Sequence, residues 1–377
     1  MNISVQRVLT PDGVIDNATI TLSDGKITAV EANSADNPLP GTLVPGFIDT
    51  QVNGGGGILF NQNLNAASLN TLANAHLQFG TTSMLPTLIT DGEAAMHQAA
   101  DAISEVIADN HPTIVGVHFE GPFLNVSKKG VHDAGFIRRP KDSELAILTR
   151  QDLGKVLVTV APDNVAPGFI RELTAEGVIV ALGHSNATAE QTQAALQAGA
   201  TGFTHLFNAM SALQSRAPGM VGAALYDDAA YCGLIVDHHH VHPCSAALAI
   251  KVKSAQRIML VTDAMAHVGS ELNSLAFFDT VIERHGNKLM TPDGTLAGSC
   301  LDMHQAVLNC HRDLGVSLPD SCTMASQTPA EFLSLGQTHG SIATGQCANM
   351  LLLDDQLNIN TIWLHGKPVS LATGDAQ

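Results

Sequence analysis

The sequence predicts an α/β fold: a (β/α)8 TIM-like barrel carrying a small β-sandwich domain formed by the N- and C-terminal segments. Three observations lead there. Short runs rich in β-branched and apolar residues recur at roughly thirty-residue intervals, with alanine-rich amphipathic stretches between them, as repeated βα units require. Eight such runs can be counted, at residues 43–49, 81–88, 114–120, 156–161, 178–184, 202–207, 232–236 and 258–263. Both ends of the chain instead alternate polar and apolar residues in the two-residue period of half-buried strands.

At the N-terminus, Ile3-Ser4-Val5-Gln6-Arg7-Val8 and Ala18-Thr19-Ile20-Thr21-Leu22 alternate in this way, and Asp24-Gly25 supplies a hairpin turn before Lys26-Ile27-Thr28-Ala29-Val30. At the C-terminus, Asn349-Met350-Leu351-Leu352-Leu353 and Asn360-Thr361-Ile362-Trp363-Leu364 read alike, with a turn at His365-Gly366-Lys367-Pro368. The expectation is one small domain over residues 1–44 and 345–377, and a barrel over residues 45–344. Between them, runs such as Val178-Ile179-Val180-Ala181-Leu182 are apolar throughout, which suits strands buried on both faces. After the eighth run, residues 275–296 read as an inserted hairpin, and 301–314 and 320–326 as helices.

Charge narrows the partners. Thirty-five acidic against 18 basic residues give a formal net charge of −17, which disfavours nucleic acid and anionic membrane over most of the surface. There is no basic segment leading into an apolar run and no apolar stretch long enough to span a bilayer, so the expected location is cytoplasmic. Six cysteines at irregular spacing, without a CxxC pair, read as reduced and mostly buried rather than as ligands or nucleophiles.

In barrel enzymes the reacting groups gather where strands end at the C-terminal face. The third run ends in His118-Phe119-Glu120, the fifth in Gly183-His184-Ser185, the sixth in Thr204-His205-Leu206 and the eighth in Thr262-Asp263-Ala264. Two imidazoles and one carboxylate form the three-ligand set of a catalytic zinc-type site with a position left open. The predicted cofactor is one divalent metal ion per subunit, zinc by default, held by Glu120, His184 and His205. Asp263 then stands free to carry protons. On the first run Gln51 and Asn53, two apart, project to the same side.

Here the chain resembles the amidohydrolase superfamily, whose first strand usually carries His-x-His for a second metal. Gln51 and Asn53 occupy those positions as a remnant of that second site, which implies one metal rather than two. Within the superfamily the chain is similar to the N-acetylglucosamine-6-phosphate deacetylase family. The similarity runs through Pro45-Gly46-Phe47-Ile48-Asp49, Glu120-Gly121-Pro122-Phe123-Leu124-Asn125, Lys128-Lys129-Gly130-Val131-His132 and Gly183-His184-Ser185-Asn186-Ala187-Thr188. It continues in Thr204-His205-Leu206-Phe207-Asn208-Ala209-Met210, Arg216-Ala217-Pro218-Gly219, Val261-Thr262-Asp263-Ala264 and Leu296-Ala297-Gly298-Ser299.

The resemblance implies Glu120, His184 and His205 as metal ligands, Asp263 as catalytic acid and base, and His132 as polariser of the acetyl carbonyl. It assigns substrate contacts to His132, Asn208, Ala209, Arg216, His240, Ala297, Gly298 and Ser299. It further implies a homodimer or homotetramer, in which one phosphate ligand can come from a neighbouring subunit. The implied reaction is hydrolysis of N-acetyl-D-glucosamine 6-phosphate to D-glucosamine 6-phosphate and acetate, in amino-sugar catabolism.

Several alternatives stay open. The stretch ending in Val241-His242-Pro243 is closer to the N-acetyl-D-galactosamine-6-phosphate deacetylase type, whereas Gln51-Val52-Asn53 and Lys128-Lys129-Gly130 favour the glucosamine type. A non-catalytic sugar-phosphate binding protein would have no use for Asp263, and a cyclic amidase would ordinarily need the second metal. Arg216 is a phosphate ligand or a solvated loop charge, and His118 supports the metal site or packs structurally. Of the run Asp237-His238-His239-His240-Val241-His242 only His240 is given a functional role, and Lys128-Lys129 reads as a solvated loop face.

Overall fold

The computed structural model describes residues 1–33 and 37–370; residues 371–377, which the expected terminal domain includes, lie outside the described residues. Eight parallel strands form one sheet in chain order: Phe47–Val52, Thr81–Ile89, Gly116–Glu120, Lys155–Val160, Ile179–Leu182, Gly202–Phe203, Tyr231–Leu234 and Ile258–Leu260. The sheet closes on itself at the C-terminal rim. There Asp263 N donates to Gln51 O at 3.0 Å and Asn53 N to Ala264 O at 2.9 Å, beside a parallel bridge between Val52 and Ala264.

The first predicted run, residues 43–49, is divided in the structure. Leu39–Pro45 belongs to the terminal sheet and Phe47–Val52 begins the barrel, with Gly46 between them. Gly46 is pressed against the second barrel strand so closely that a Cβ there would lie 2.2 Å from Thr82 Oγ1, so only glycine lets the chain pass between the two sheets.

The strands from both termini form a seven-stranded sheet, in which Leu39–Pro45 joins Asn2–Thr10 on one side and Met350–Leu353 on the other. It encloses its own core of Ile3, Val5, Val8, Ile20, Leu43, Met350 and Trp363. Both predicted turns have the two successive positive φ values of tight hairpins: Asp24 and Gly25 at +51° and +76°, His365 and Gly366 at +50° and +73°. The predicted insert is a four-stranded antiparallel sheet from Ser274–Phe277 to Leu296–Ser299, followed by helices Met303–Arg312, Leu318–Ala325 and Gln327–Phe332.

Inside the barrel the side chains stack in layers. Ile48, Leu85, Leu157, Ala181 and Met259 form an apolar layer sealed by Phe332. A polar layer includes His118, whose Nε2 lies 2.7 Å from Thr159 Oγ1, which in turn lies 2.6 Å from Thr204 Oγ1. Burial pushes the His118 imidazole down to about 4, so it sits neutral in this layer. Of the six cysteines, all free, Cys232, Cys310 and Cys322 are buried, Cys300 and Cys347 are half-buried and Cys244 is exposed.

Candidate active site

Glu120, the last residue of the third barrel strand, is 1% exposed, and two imidazoles converge on it. His184 Nε2 lies 3.2 Å from Glu120 Oε1, His205 Nε2 lies 3.1 Å from the same oxygen, and the two nitrogens are 3.0 Å apart. These separations approach the spacing of about 3.3 Å that bonds of 2.0–2.1 Å impose on neighbouring tetrahedral ligands. The three form a cluster able to hold a metal ion. Burial opposes ionisation of Glu120, but hydrogen bonds from His184 and His205 outweigh it and hold the carboxyl well below the ordinary carboxylate range. His184 is oriented by its other nitrogen, Nδ1, 2.8 Å from the carbonyl of Lys128.

The chain reaches these positions through strained backbone. His184, His205 and Asp263 have φ of +47°, +34° and +52°, the left-handed region that costs a non-glycine residue about 1–3 kcal/mol. Each lies just past its strand, where the turn aims the side chain over the barrel mouth.

Asp263 is held by the two first-strand amides. Asn53 Nδ2 donates to its Oδ1 at 2.7 Å and Gln51 Nε2 to the same atom at 3.1 Å, leaving Oδ2 for other work. Gln51 Nε2 also reaches Glu120 Oε1 at 3.1 Å. With their N–H groups turned to carboxylates, these amides act as donors where a second metal's ligands would have to be acceptors. Burial, then the charge of Glu120, raises Asp263 above the ordinary carboxylate range.

The site opens into a cavity of about 380 Å³. Among the residues expected to touch substrate, His132, Asn208, Ala209, His240 and Gly298 line it, whereas Arg216, Ala297 and Ser299 do not. Arg216 is exposed on the segment after Met210. Ala297 and Ser299 are buried in the insert's last strand, which pairs with the residues around Asp263: Ser299 N donates to Asp263 O at 2.9 Å and Met265 N to Ser299 O at 2.9 Å. They shape the wall from behind.

The histidine run spreads apart instead of converging. His238 Nε2 lies 2.9 Å from Asp313, His242 caps the next helix by accepting from Cys244 N, and His240 Nδ1 meets Asp237 at 2.6 Å while lining the cavity. Lys128, read from sequence as part of a solvated face, lines the cavity and supplies the carbonyl that orients His184. A backbone acceptor leaves no residue-type signal, so no motif could have found it. Ile89, Val131, Met265 and Leu296, also unassigned from sequence, give the cavity an apolar side beside His132.

A barrel whose strand ends present a two-histidine, one-carboxylate cluster with a buried carboxylic acid alongside defines a metal-dependent hydrolase. The Amidohydrolase family profile matches residues 42–369. The chain belongs to that family. It is 46% identical over 370 residues to an N-acetylgalactosamine-6-phosphate deacetylase of Shewanella sp. (strain ANA-3), covering 96% of this chain and 94% of that protein. It is 33% identical over 378 residues to an N-acetylglucosamine-6-phosphate deacetylase of Vibrio furnissii, covering 97% and 94%. The crystal structure of N-acetylglucosamine-6-phosphate deacetylase from Pasteurella multocida superposes with a TM-score of 0.93 at 32% identity, over 98% of this chain and all of that one.

Proposed function

We propose that this protein removes the acetyl group of an N-acetylhexosamine 6-phosphate by hydrolysis, releasing acetate and the amino-sugar phosphate. The observation that carries the reading is the convergence of Glu120, His184 and His205 with Asp263 at one cavity, on a chain whose relatives are sugar-phosphate deacetylases. Glu120, His184 and His205 hold one divalent ion per subunit, zinc by the nature of the ligands. When bound, the ion supplies Lewis acidity that acidifies a water and polarises the amide carbonyl.

The chain's own groups do the rest. Asp263 Oδ2, left free because both amides bind Oδ1, accepts the proton of the attacking water and returns it to the departing amine. His132 faces the acetyl carbonyl across the cavity and donates to the oxygen as charge develops there. The sugar extends toward Asn208, Ala209 and His240, where backbone donors and an imidazole paired with Asp237 receive the phosphate. Arg216, exposed in one chain, meets the phosphate of a neighbouring subunit in a homodimer or homotetramer.

The expectation of N-acetyl-D-glucosamine 6-phosphate as substrate stands beside its C4 epimer, N-acetyl-D-galactosamine 6-phosphate. The 46% identical relative favours the galactosamine epimer as the better substrate. Purified, zinc-replete protein assayed for amine release on both sugars decides: a higher kcat/KM on the galactosamine epimer supports that order, a higher value on the glucosamine epimer reverses it, and no turnover of either refutes the reading.

A further inference from the structure

The residue that follows the second barrel strand, Thr90, has no role in any reading of the sequence, yet its hydroxyl sits between two parts of the site. Thr90 is 1% exposed. Its Oγ1 lies 2.8 Å from His132 Nδ1 and 3.3 Å from the main-chain oxygen of Glu120. The backbone makes room for it: Gly121, the residue after Glu120, has φ of +87°, and a Cβ there would come within 2.2 Å of the Thr90 oxygen.

The two contacts compete for one hydroxyl proton. A carbonyl can only accept, whereas a neutral imidazole nitrogen can donate or accept according to its tautomer. Hydroxyl bonds cluster near about 2.7–2.8 Å and weaken beyond about 3.0 Å, so the proton belongs on the contact to His132 and the Glu120 carbonyl is left as a loose neighbour. With Thr90 donating, His132 Nδ1 carries the lone pair and Nε2 carries the ring's single proton. Nδ1 is thereby occupied, and His132 lines the cavity. The ring stays neutral in this setting, because burial and the adjacent His184 push it down to about 3.

We infer that Thr90 is a positioning residue that locks His132 in its Nε2–H tautomer, so that His132 serves the reaction as a hydrogen-bond donor to the substrate carbonyl and never as a base. The opposite tautomer would present a lone pair to the carbonyl oxygen and repel it. The rate consequence rests on the deacetylase reading, but the tautomer does not.

The test has two arms. In long-range ¹H–¹⁵N NMR spectra of the full-length, zinc-loaded protein, with His132 assigned by its loss in His132→Gln, the expected pattern is a protonated Nε2 and an unprotonated Nδ1. A protonated Nδ1 in the parent protein overturns the proposal, whether or not any variant folds. In the kinetic arm, Thr90→Val should lower kcat about tenfold to a hundredfold, the usual loss when an orienting partner goes, with KM nearly unchanged. Thr90→Ser, which keeps the hydroxyl, should restore most of the rate. Parent-like kcat in folded Thr90→Val, or equal impairment in Thr90→Ser, also overturns it. Absence of turnover in the parent defeats the deacetylase reading and leaves the spectra to decide the tautomer.

Discussion

Replacing Asp263 by Asn separates proton transfer from everything else the residue does. Asparagine tolerates the left-handed backbone that the chain adopts here, φ +52°, better than most residues. Its side-chain oxygen can still accept from Asn53 and Gln51, which now lie 2.7 and 3.1 Å from Asp263 Oδ1. The fold and cavity therefore persist. What disappears is the acceptance of a proton from water and its return to the amine. General acid–base catalysis contributes about 10²–10⁴ in rate, and one carboxylate serves both steps, so kcat should fall at least about 10³-fold. That is about 4 kcal/mol of barrier at 1.36 kcal/mol per decade. Substrate affinity, measured by calorimetry on the inactive variant, should stay within about threefold of the parent KM where chemistry limits turnover. The melting temperature should not fall, since the buried acid is exchanged for a neutral group beside Glu120. A folded, metal-loaded Asp263→Asn protein that retains more than a tenth of the parent kcat refutes the assignment.

Other outcomes follow from the same structure. His132→Asn should cost about 10²–10³ in kcat, the loss typical of an oxyanion donor, with a smaller effect on KM; an unchanged kcat contradicts the role. Asp49 is fully buried at the barrel seam, where Thr262 Oγ1 donates to its Oδ2 at 2.5 Å and Gln51 N to its Oδ1 at 3.1 Å. Asp49→Ala strands these donors and should destabilise the protein by about 2–4 kcal/mol in denaturant titration, through the unmade bonds and the weakened closure. His76 is buried with Nε2 donating to Gly54 O at 2.8 Å and Nδ1 unpartnered, and burial pushes it down to about 4. Between the unfolded value near about 6.5 and that folded value the unfolded chain binds the extra proton, so stability falls as pH falls, by about 3 kcal/mol in all at 1.36 kcal/mol per unit. His76→Gln, which can still donate to Gly54, should flatten the melting temperature over pH 6.5–4; a slope equal to the parent's rules out this histidine as its source.

The barrel was legible because each parallel strand is buried on both faces and announces itself as a continuous apolar run, as in Val178-Ile179-Val180-Ala181-Leu182. The exception is instructive: residues 43–49 are apolar on both sides of Gly46, so hydropathy alone cannot locate the point where one sheet ends and the next begins. The metal cluster was legible because its members carry side-chain chemistry at strand ends. The supporting contacts were not, since Lys128 acts through its carbonyl and Thr90 through a hydroxyl common to many buried threonines. Arg216 shows the limit of a motif: the residue matches, but within one chain it faces solvent away from the cavity.

Titration of metal-free protein with zinc, followed by deacetylation of N-acetylhexosamine 6-phosphate and by metal content per chain, tests the central claim most directly. Three ligands from Glu120, His184 and His205, with Gln51 and Asn53 turned as donors to carboxylates, predict that activity saturates at one equivalent per chain. Activity that appears only as a second equivalent binds, or that is full without any ion, would contradict it.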